Sequence, residues 1–136
     1  MITKDALDQI EKDESLAFIV ETTSFLALNH LRDLCHEANV SAGWHDSPRE
    51  DGTFIALIHS EVSECLEGLR KNCQDDHLPH RKMAEVELAD ILIRVFDFAG
   101  LKGFDLAAAV REKLEYNRNR ADHKREARAA EGGKKF

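Results

Sequence analysis

Residues 86–99 constrain the fold of this chain more than any other segment, because they are apolar on almost every side of a helix yet carry four charges. The charges are separated by three, four and three positions, so they form one stripe along the helix. A helix that is apolar nearly all round must be covered on most sides, and charges on it are costly unless they are paired or bind a metal ion. The stripe consists of Glu87, Asp90, Arg94 and Asp97.

The rest of the chain also favours long helices, since only 2 Pro and 7 Gly interrupt its 136 residues. Helices joined by short loops predict an all-α fold, an antiparallel four-helix bundle. We expect residues 1–24 to be an N-terminal extension that packs on the bundle, 25–122 to be the helical domain, and 123–136 to be a basic flexible tail. We expect the first helix to have an N-cap at Ser24 and to end at about Asn39, and the second to have a cap at Asp51 or Thr53 and to end at about Lys71. The third is expected from about Arg81 to Ala99, and the fourth from a cap at Asp105 to about Arg120.

Composition excludes several classes of protein. With 43% apolar and 33% charged residues the chain is not disordered, and it has no apolar run near the roughly 20 residues that span a bilayer. A net charge of −7 disfavours nonspecific binding to nucleic acid. The odd number of cysteines (Cys35, Cys65 and Cys73) and an N-terminus unlike a signal peptide predict a reducing, cytoplasmic location.

The helix before the apolar segment carries a second acidic pair, Glu61 and Glu64. On a helical wheel Glu61 lies at the edge of the apolar face, and Glu64 lies about 60° further out. If this helix lies beside the one with Glu87 and Asp90, four carboxylates meet. Such a group repels itself unless cations neutralise it, and Mg²⁺ is the hard ion that prefers oxygen ligands. The alternative is an ordinary acidic surface, paired with the cations Arg70, Lys71, Arg94 or Arg111.

Four elements, in this order, resemble the MazG-like all-α nucleoside triphosphate pyrophosphohydrolases, a group that includes the dimeric dUTPases. The resemblance covers roughly residues 25–122. It implies that family's helical fold, an oligomer, Mg²⁺ as cofactor with Mn²⁺ as a substitute, and hydrolysis of nucleoside triphosphates to monophosphates and pyrophosphate. The elements are Gly43-Trp44, Glu61-Val62-Ser63-Glu64, Glu87-Leu88-Ala89-Asp90 and a final helix with Lys113, Asn117 and Arg120.

The resemblance also implies a role for each of these residues. Glu61, Glu64, Glu87 and Asp90 would bind the metal, and Glu61 and Glu64 would also be catalytic. Substrate would be bound by Lys113, Asn117, Arg120, Trp44 and Arg94. Spacing alone leaves other roles open. The residues of the last helix would then be solvated or would compensate the helix dipole. Trp44 would cover the core, and Arg94 would neutralise Asp90 or Asp97.

We therefore expect a Mg²⁺-dependent pyrophosphohydrolase that clears unwanted nucleotides. Because the segment 86–99 is too apolar for one small bundle to cover, we expect a homodimer or homotetramer, with neither a membrane nor a specific nucleic acid as partner. Two alternatives stay open. One is a non-catalytic helical oligomerisation or regulatory module, and the other is a related phosphohydrolase acting on a different phosphate compound.

Overall fold

The structure of the chain, a computed structural model, describes residues 3–132, without the side chains of Leu7, Glu11 and His123. Over these residues the fold is all-α, as expected, with one isolated β-bridge between Gln74 and Lys82 and no strand. No helix in this part of the chain has the length and apolarity needed to cross a membrane. The helices are α1 (Lys4–Lys12), α2 (Glu14–Ser41), α3 (Asp51–Lys71), α4 (Met83–Lys102), α5 (Leu106–Asn119) and α6 (Arg125–Ala129), with a 3₁₀ turn at Ala121–His123 between the last two.

Helix α2 begins at Glu14, so the prediction that Ser24 caps it was wrong. The carboxylate of Asp13 accepts hydrogen bonds from the backbone amides two and three residues after it, at 3.0 and 3.1 Å, as an N-cap does. The hydroxyl of Ser24 instead donates to the carbonyl of Val20 inside the helix, at 2.7 Å. The apolar run 16–20, which fits a helix or a strand equally well by sequence, is therefore helical.

The other helix ends follow from local chemistry. Asp105 caps α5, as expected, because its carboxylate accepts a hydrogen bond from the amide of Ala108 at 3.0 Å. Helix α4 continues to Lys102, beyond its expected end near residue 100, and stops where Gly103 adopts a left-handed conformation with φ of 65°. Helix α3 begins at Asp51 with Glu50 as its N-cap, so the prediction that Asp51 or Thr53 caps it was wrong. Helix α4 begins at Met83.

The chain divides into two compact units, and the division falls inside α2, after Leu26. The central unit, residues 27–104, contains the second half of α2 with α3 and α4. The terminal unit contains the residues up to Leu26 together with those from Asp105 onward. The expected boundaries after residues 24 and 122 stay a prediction, and so does a bundle with α5 as its fourth helix.

Within the central unit, α3 and α4 pack closely and run antiparallel. Gly68 near the end of α3 meets Ala84 near the start of α4, whereas Phe54 at the start of α3 stacks on Phe98 further along α4, with ring centroids 5.5 Å apart. A Cβ atom at Gly68 would lie only 2.9 Å from the backbone nitrogen of Ala84. Glycine at this position therefore allows the two backbones to approach each other.

The loop between α3 and α4 is held by a buried aspartate. Asn72 ends α3 in a left-handed conformation, with φ of 50°. The carboxylate of Asp75 then accepts hydrogen bonds from the amides of His77 and Leu78, at 2.9 and 2.6 Å. Its own amide donates to the carbonyl of Arg81. These bonds close the hairpin and fix the register in which α4 returns along α3.

The core of the central unit is small, and many large apolar side chains lie on its surface. Phe54 and Phe96 are buried, but the outer faces of α3 and α4 are not. Over the described residues, α3 and α4 therefore keep part of their apolar surface in contact with solvent. The most exposed of these side chains on the two helices are Leu66, Leu69, Leu88 and Leu92, each with more than half of its surface in solvent.

Candidate active site

Three of the four acids singled out in the sequence converge between α3 and α4. Glu61 lies on α3, and Glu87 and Asp90 lie one turn apart on α4. One carboxylate oxygen from each lies within 4.8 Å of the others. Glu61 and Glu87 are only 6% and 7% exposed, so their charges are shielded from water. We call these three residues the acidic cluster.

Glu64 does not join this cluster. It lies one turn after Glu61 on α3 and is exposed to solvent, in agreement with its position further from the apolar face of the helical wheel. Its negative charge still acts on the cluster, since it contributes to the raised pKa of Glu87. Glu64 is therefore a neighbour of the cluster rather than one of its converging groups.

Crowding of acids raises the affinity of the acidic cluster for protons. Burial, a hydrogen bond with Glu61 and the charges of Glu64, Glu61 and Asp90 together raise the pKa of Glu87 from 4.5 to about 7. Burial, followed by the charge of Glu61, likewise raises the pKa of Asp90, and the charge of Asp75 adds to this effect. Glu87 therefore keeps a proton at pH values where an ordinary glutamate is ionised.

Arg94 is the cation that faces the acidic cluster. Its Nε and Nη2 atoms donate to one carboxylate oxygen of Glu61, at 2.6 and 2.5 Å. The expected neutralisation of Asp90 or Asp97 by Arg94 is therefore met only in part, because its direct partner is Glu61 on the neighbouring helix. Arg94 still lowers the pKa of Asp90 through its charge, although burial outweighs this effect.

The other cations proposed as surface partners pair elsewhere. Arg70 and Lys71 both lie within ion-pair distance of Glu67, and Arg111 pairs with Glu21 in the terminal unit. Among the described residues, the acidic cluster is thus partly neutralised by one arginine and does not belong to an ordinary network of surface ion pairs.

A cleft of about 180 Å³ opens beside the acidic cluster. Asp90 and Arg94 form part of its wall, and Trp44 contributes an aromatic ring that is 52% exposed. The guanidinium group of Arg49 lies 5.3 Å from the centre of that ring. Trp44 is therefore a wall of the cleft rather than a buried cap on the core. The remaining wall residues are Asn39, Phe54, Leu57, Ile93 and Asp97.

A second group of polar residues, not singled out in the sequence as a site, meets at Asp97 in the wall of this cleft. Asp97 is 6% exposed, and one of its oxygens contacts His36 Nδ1 at 2.9 Å and His45 Nε2 at 2.8 Å. Burial by itself would raise the pKa of Asp97, but hydrogen bonds from His36, His45 and Asn39 outweigh it and hold that pKa below its usual range. The signal available in the sequence was the charge of Asp97 on an almost wholly apolar helix, because such a charge requires partners from elsewhere in the chain.

The candidate substrate residues of the last helix lie in the terminal unit. The ammonium group of Lys113 lies 4.6 Å from the centre of the Tyr116 ring. The side-chain oxygen of Asn117 is buried and has no hydrogen-bond partner among the described residues. Arg120 follows the end of α5 and pairs with Asp122 at 2.5 Å, so it is not on the helical face shared by the other two.

Comparisons of this chain with protein-family models, with curated proteins and with solved structures find no match. The resemblance to the MazG-like enzymes therefore depends on the four motifs and on the chemistry of the residues described above.

Proposed function

We propose that this protein is a Mg²⁺-dependent nucleoside triphosphate pyrophosphohydrolase, which converts a (deoxy)nucleoside triphosphate and water to the monophosphate and pyrophosphate. The observation that carries the proposal is the convergence of Glu61, Glu87 and Asp90 from the two helices with the ExxE and ExxD motifs. The wall of the cleft beside them includes the guanidinium group of Arg94 and the ring of Trp44, which suit the phosphates and the base of a nucleotide. Nucleotide-pool cleansing in the cytoplasm is the role that the resemblance suggests.

The donor set of the acidic cluster fits a hard divalent ion. All three groups offer carboxylate oxygens, which Mg²⁺ and Mn²⁺ prefer. Burial is the largest cause of the raised pKa of Glu87, and neighbouring negative charge, which Arg94 neutralises only in part, raises it further. We propose that Glu61, Glu87 and Asp90 hold the metal and that Glu64 assists from the solvent side. Bound Mg²⁺ would neutralise phosphate charge and lower the pKa of a water molecule.

The other residues of the cleft would bind and orient the substrate. Trp44 offers an exposed face on which a base can stack. Arg94 has donors left after its bonds to Glu61, and a guanidinium group suits phosphate oxygens. Glu64, which is exposed beside the acidic cluster, is the group proposed to accept a proton from the attacking water. The water oxygen would bond to the α-phosphorus as pyrophosphate leaves.

The residues of the terminal unit keep the role that the resemblance implies. Contact of Lys113, Asn117 and Arg120 with the phosphates stays a prediction of the resemblance. Asn117 has a side-chain oxygen without a partner, and Lys113 contacts only the face of an aromatic ring among the interactions described above, so both are available to a ligand. Arg120 would have to exchange its pair with Asp122 for a phosphate.

We also propose that the active protein is a homodimer or homotetramer. The leucines on the outer faces of α3 and α4 expose apolar surface that a second copy would bury. Full burial of one leucine side chain is worth about 1.5–3 kcal/mol relative to exposure. Sedimentation velocity across a range of concentrations would test this, and a monomer at all concentrations would refute it.

The reaction is tested by analysing the products of each ribo- and deoxyribonucleoside triphosphate with Mg²⁺ by ion-exchange chromatography. The proposal expects monophosphate and pyrophosphate from the wild type and from a Glu37→Gln control, whose substitution lies at an exposed position of α2. The double variant Glu61→Gln/Asp90→Asn should be inactive. Diphosphate and orthophosphate as products would indicate a different phosphohydrolase. No turnover, together with no effect of Mg²⁺ and nucleotides on thermal unfolding, would favour a non-catalytic module.

A further inference from the structure

Three metal-ligating side chains converge on one point of the central unit, away from the acidic cluster. His36 comes from α2, His45 from the loop that follows it, and Asp97 from α4. A nitrogen of each imidazole and an oxygen of Asp97 all lie within 4.8 Å of one another. Groups from three separate segments that aim at one place are the arrangement that a metal centre needs.

The two distances to the Asp97 oxygen leave little to change on binding of an ion, and the two imidazole nitrogens lie within 4.8 Å of each other. In a tetrahedral site with bonds of about 2.0 Å, neighbouring ligand atoms are separated by about 3.3 Å. The two nitrogen–oxygen distances to Asp97 are 2.9 and 2.8 Å. The ligands would therefore move apart by about half an ångström, which side-chain rotation can supply without movement of the helices.

We propose that His36, His45 and Asp97 form a binding site for a divalent transition-metal ion, with Zn²⁺ as the ion of choice. Two imidazole nitrogens and one carboxylate suit a borderline ion such as Zn²⁺ better than Mg²⁺, which prefers oxygen ligands. The acidic cluster, with oxygen ligands only, is the contrasting hard site. This proposal does not depend on the proposed hydrolysis.

The surroundings of the three ligands fit such a site. Asn39 donates a hydrogen bond to Asp97, which orients the carboxylate and keeps it ionised. The ring of His45 stacks on Phe54, with centroids 5.8 Å apart, and meets the edge of His36 at 5.1 Å. Because Asp97 lines the cleft, water can complete the coordination of the ion.

The loop before His45 is shaped so that this ring turns back toward α4. Gly43 adopts a φ of 79°, a left-handed conformation that favours glycine. Its amide donates to the carbonyl of Val40, and the amide of Trp44 donates to that of Asn39. This turn ends α2 and brings His45 to the same oxygen of Asp97 that His36 contacts.

The test is a titration of chelator-treated protein with Zn²⁺ in excess Mg²⁺, which keeps the acidic cluster occupied if it binds hard cations. We expect one Zn²⁺ per chain in the wild type and in a His59→Gln control, whose histidine is exposed on α3. The variants His45→Gln and Asp97→Asn should bind Zn²⁺ at least about 100-fold more weakly. The double variant Glu61→Gln/Asp90→Asn should retain the site.

A second measurement uses the unaltered chain, so it stands even if a variant fails to fold. Co²⁺ in place of Zn²⁺ should give the visible absorption of a site of low coordination number, without a thiolate charge-transfer band from Cys35, Cys65 or Cys73. Nuclear magnetic resonance of the imidazole nitrogens should show metal bound at Nδ1 of His36 and Nε2 of His45. No uptake by the wild type, a thiolate band, or uptake that His45→Gln leaves unchanged in a folded variant would each overturn the proposal. The three side chains would then form a hydrogen-bonded group only.

Discussion

Replacing Glu87 by glutamine should stabilise the metal-free protein, most strongly at alkaline pH. The folded protein holds a proton on Glu87 up to about pH 7, whereas the unfolded chain releases it near pH 4.5. Between these values the folded state binds more protons, so wild-type stability falls as pH rises. The loss is about 3 kcal/mol at pH 8 and about 1 kcal/mol at pH 5. Glutamine remains able to donate a hydrogen bond to Glu61 and never ionises, so the variant avoids this loss.

The assay is urea unfolding followed by circular dichroism, at pH 5 and pH 8, with chelator and with Mg²⁺. The variant should be more stable than wild type with chelator at pH 8 and should gain less from Mg²⁺, because it lacks one proposed ligand. Glu37→Gln, on the exposed face of α2, is the matched control and should change little at either pH. A Glu87→Gln protein that is no more stable than wild type at pH 8 would refute the claim that crowded, buried charge raises the pKa of this group.

Three further predictions concern the same unit. Mg²⁺ affinity, measured by calorimetry, should fall about tenfold for each pH unit below 7, since the metal competes with the proton on Glu87; an affinity that is constant with pH would contradict this. Arg94→Ala should cost about 2 kcal/mol in urea unfolding because it leaves the buried Glu61 without its partner, and Arg94→Lys should recover part of the loss. Gly100→Ala should cost about 1–3 kcal/mol, because the new Cβ would lie 2.6 Å from that of His36; an unchanged melting temperature would show that the helices separate freely.

Periodicity and capping residues predicted much of the helical organisation. The end of α3 at Lys71 and the cap at Asp105 are local features, so the sequence is sufficient to place them. The sequence was not sufficient to place the start of α2, because Asp13 and Ser24 are both good N-cap residues. Their ranking depends on whether residues 14–23 are helical, and a short apolar run does not decide that.

Some features of the candidate site could also be predicted from local geometry, and others could not. Helical geometry placed Glu61 inward and Glu64 outward, and the structure has them so. The direct partner of Arg94 was not identified, because spacing along one helix favours Asp90 and Asp97, whereas the contact crosses to Glu61, 33 residues away in sequence. The meeting of two histidines at Asp97 joins residues 61 and 52 positions apart. No local pattern encodes such pairings, which follow from how α2 and its loop lie against α4.

The distance between α3 and α4 depends on the residue at position 68, where glycine allows the closest approach. Gly68 lies about two turns, or roughly 10 Å, from Glu61 along α3, and Ala84 opposite it lies one turn before Glu87. Any side chain at this position would push the two helices apart. The separation would also move Glu61 away from Glu87. A single added methyl group at this contact would therefore weaken the proposed metal site without altering any of its ligands.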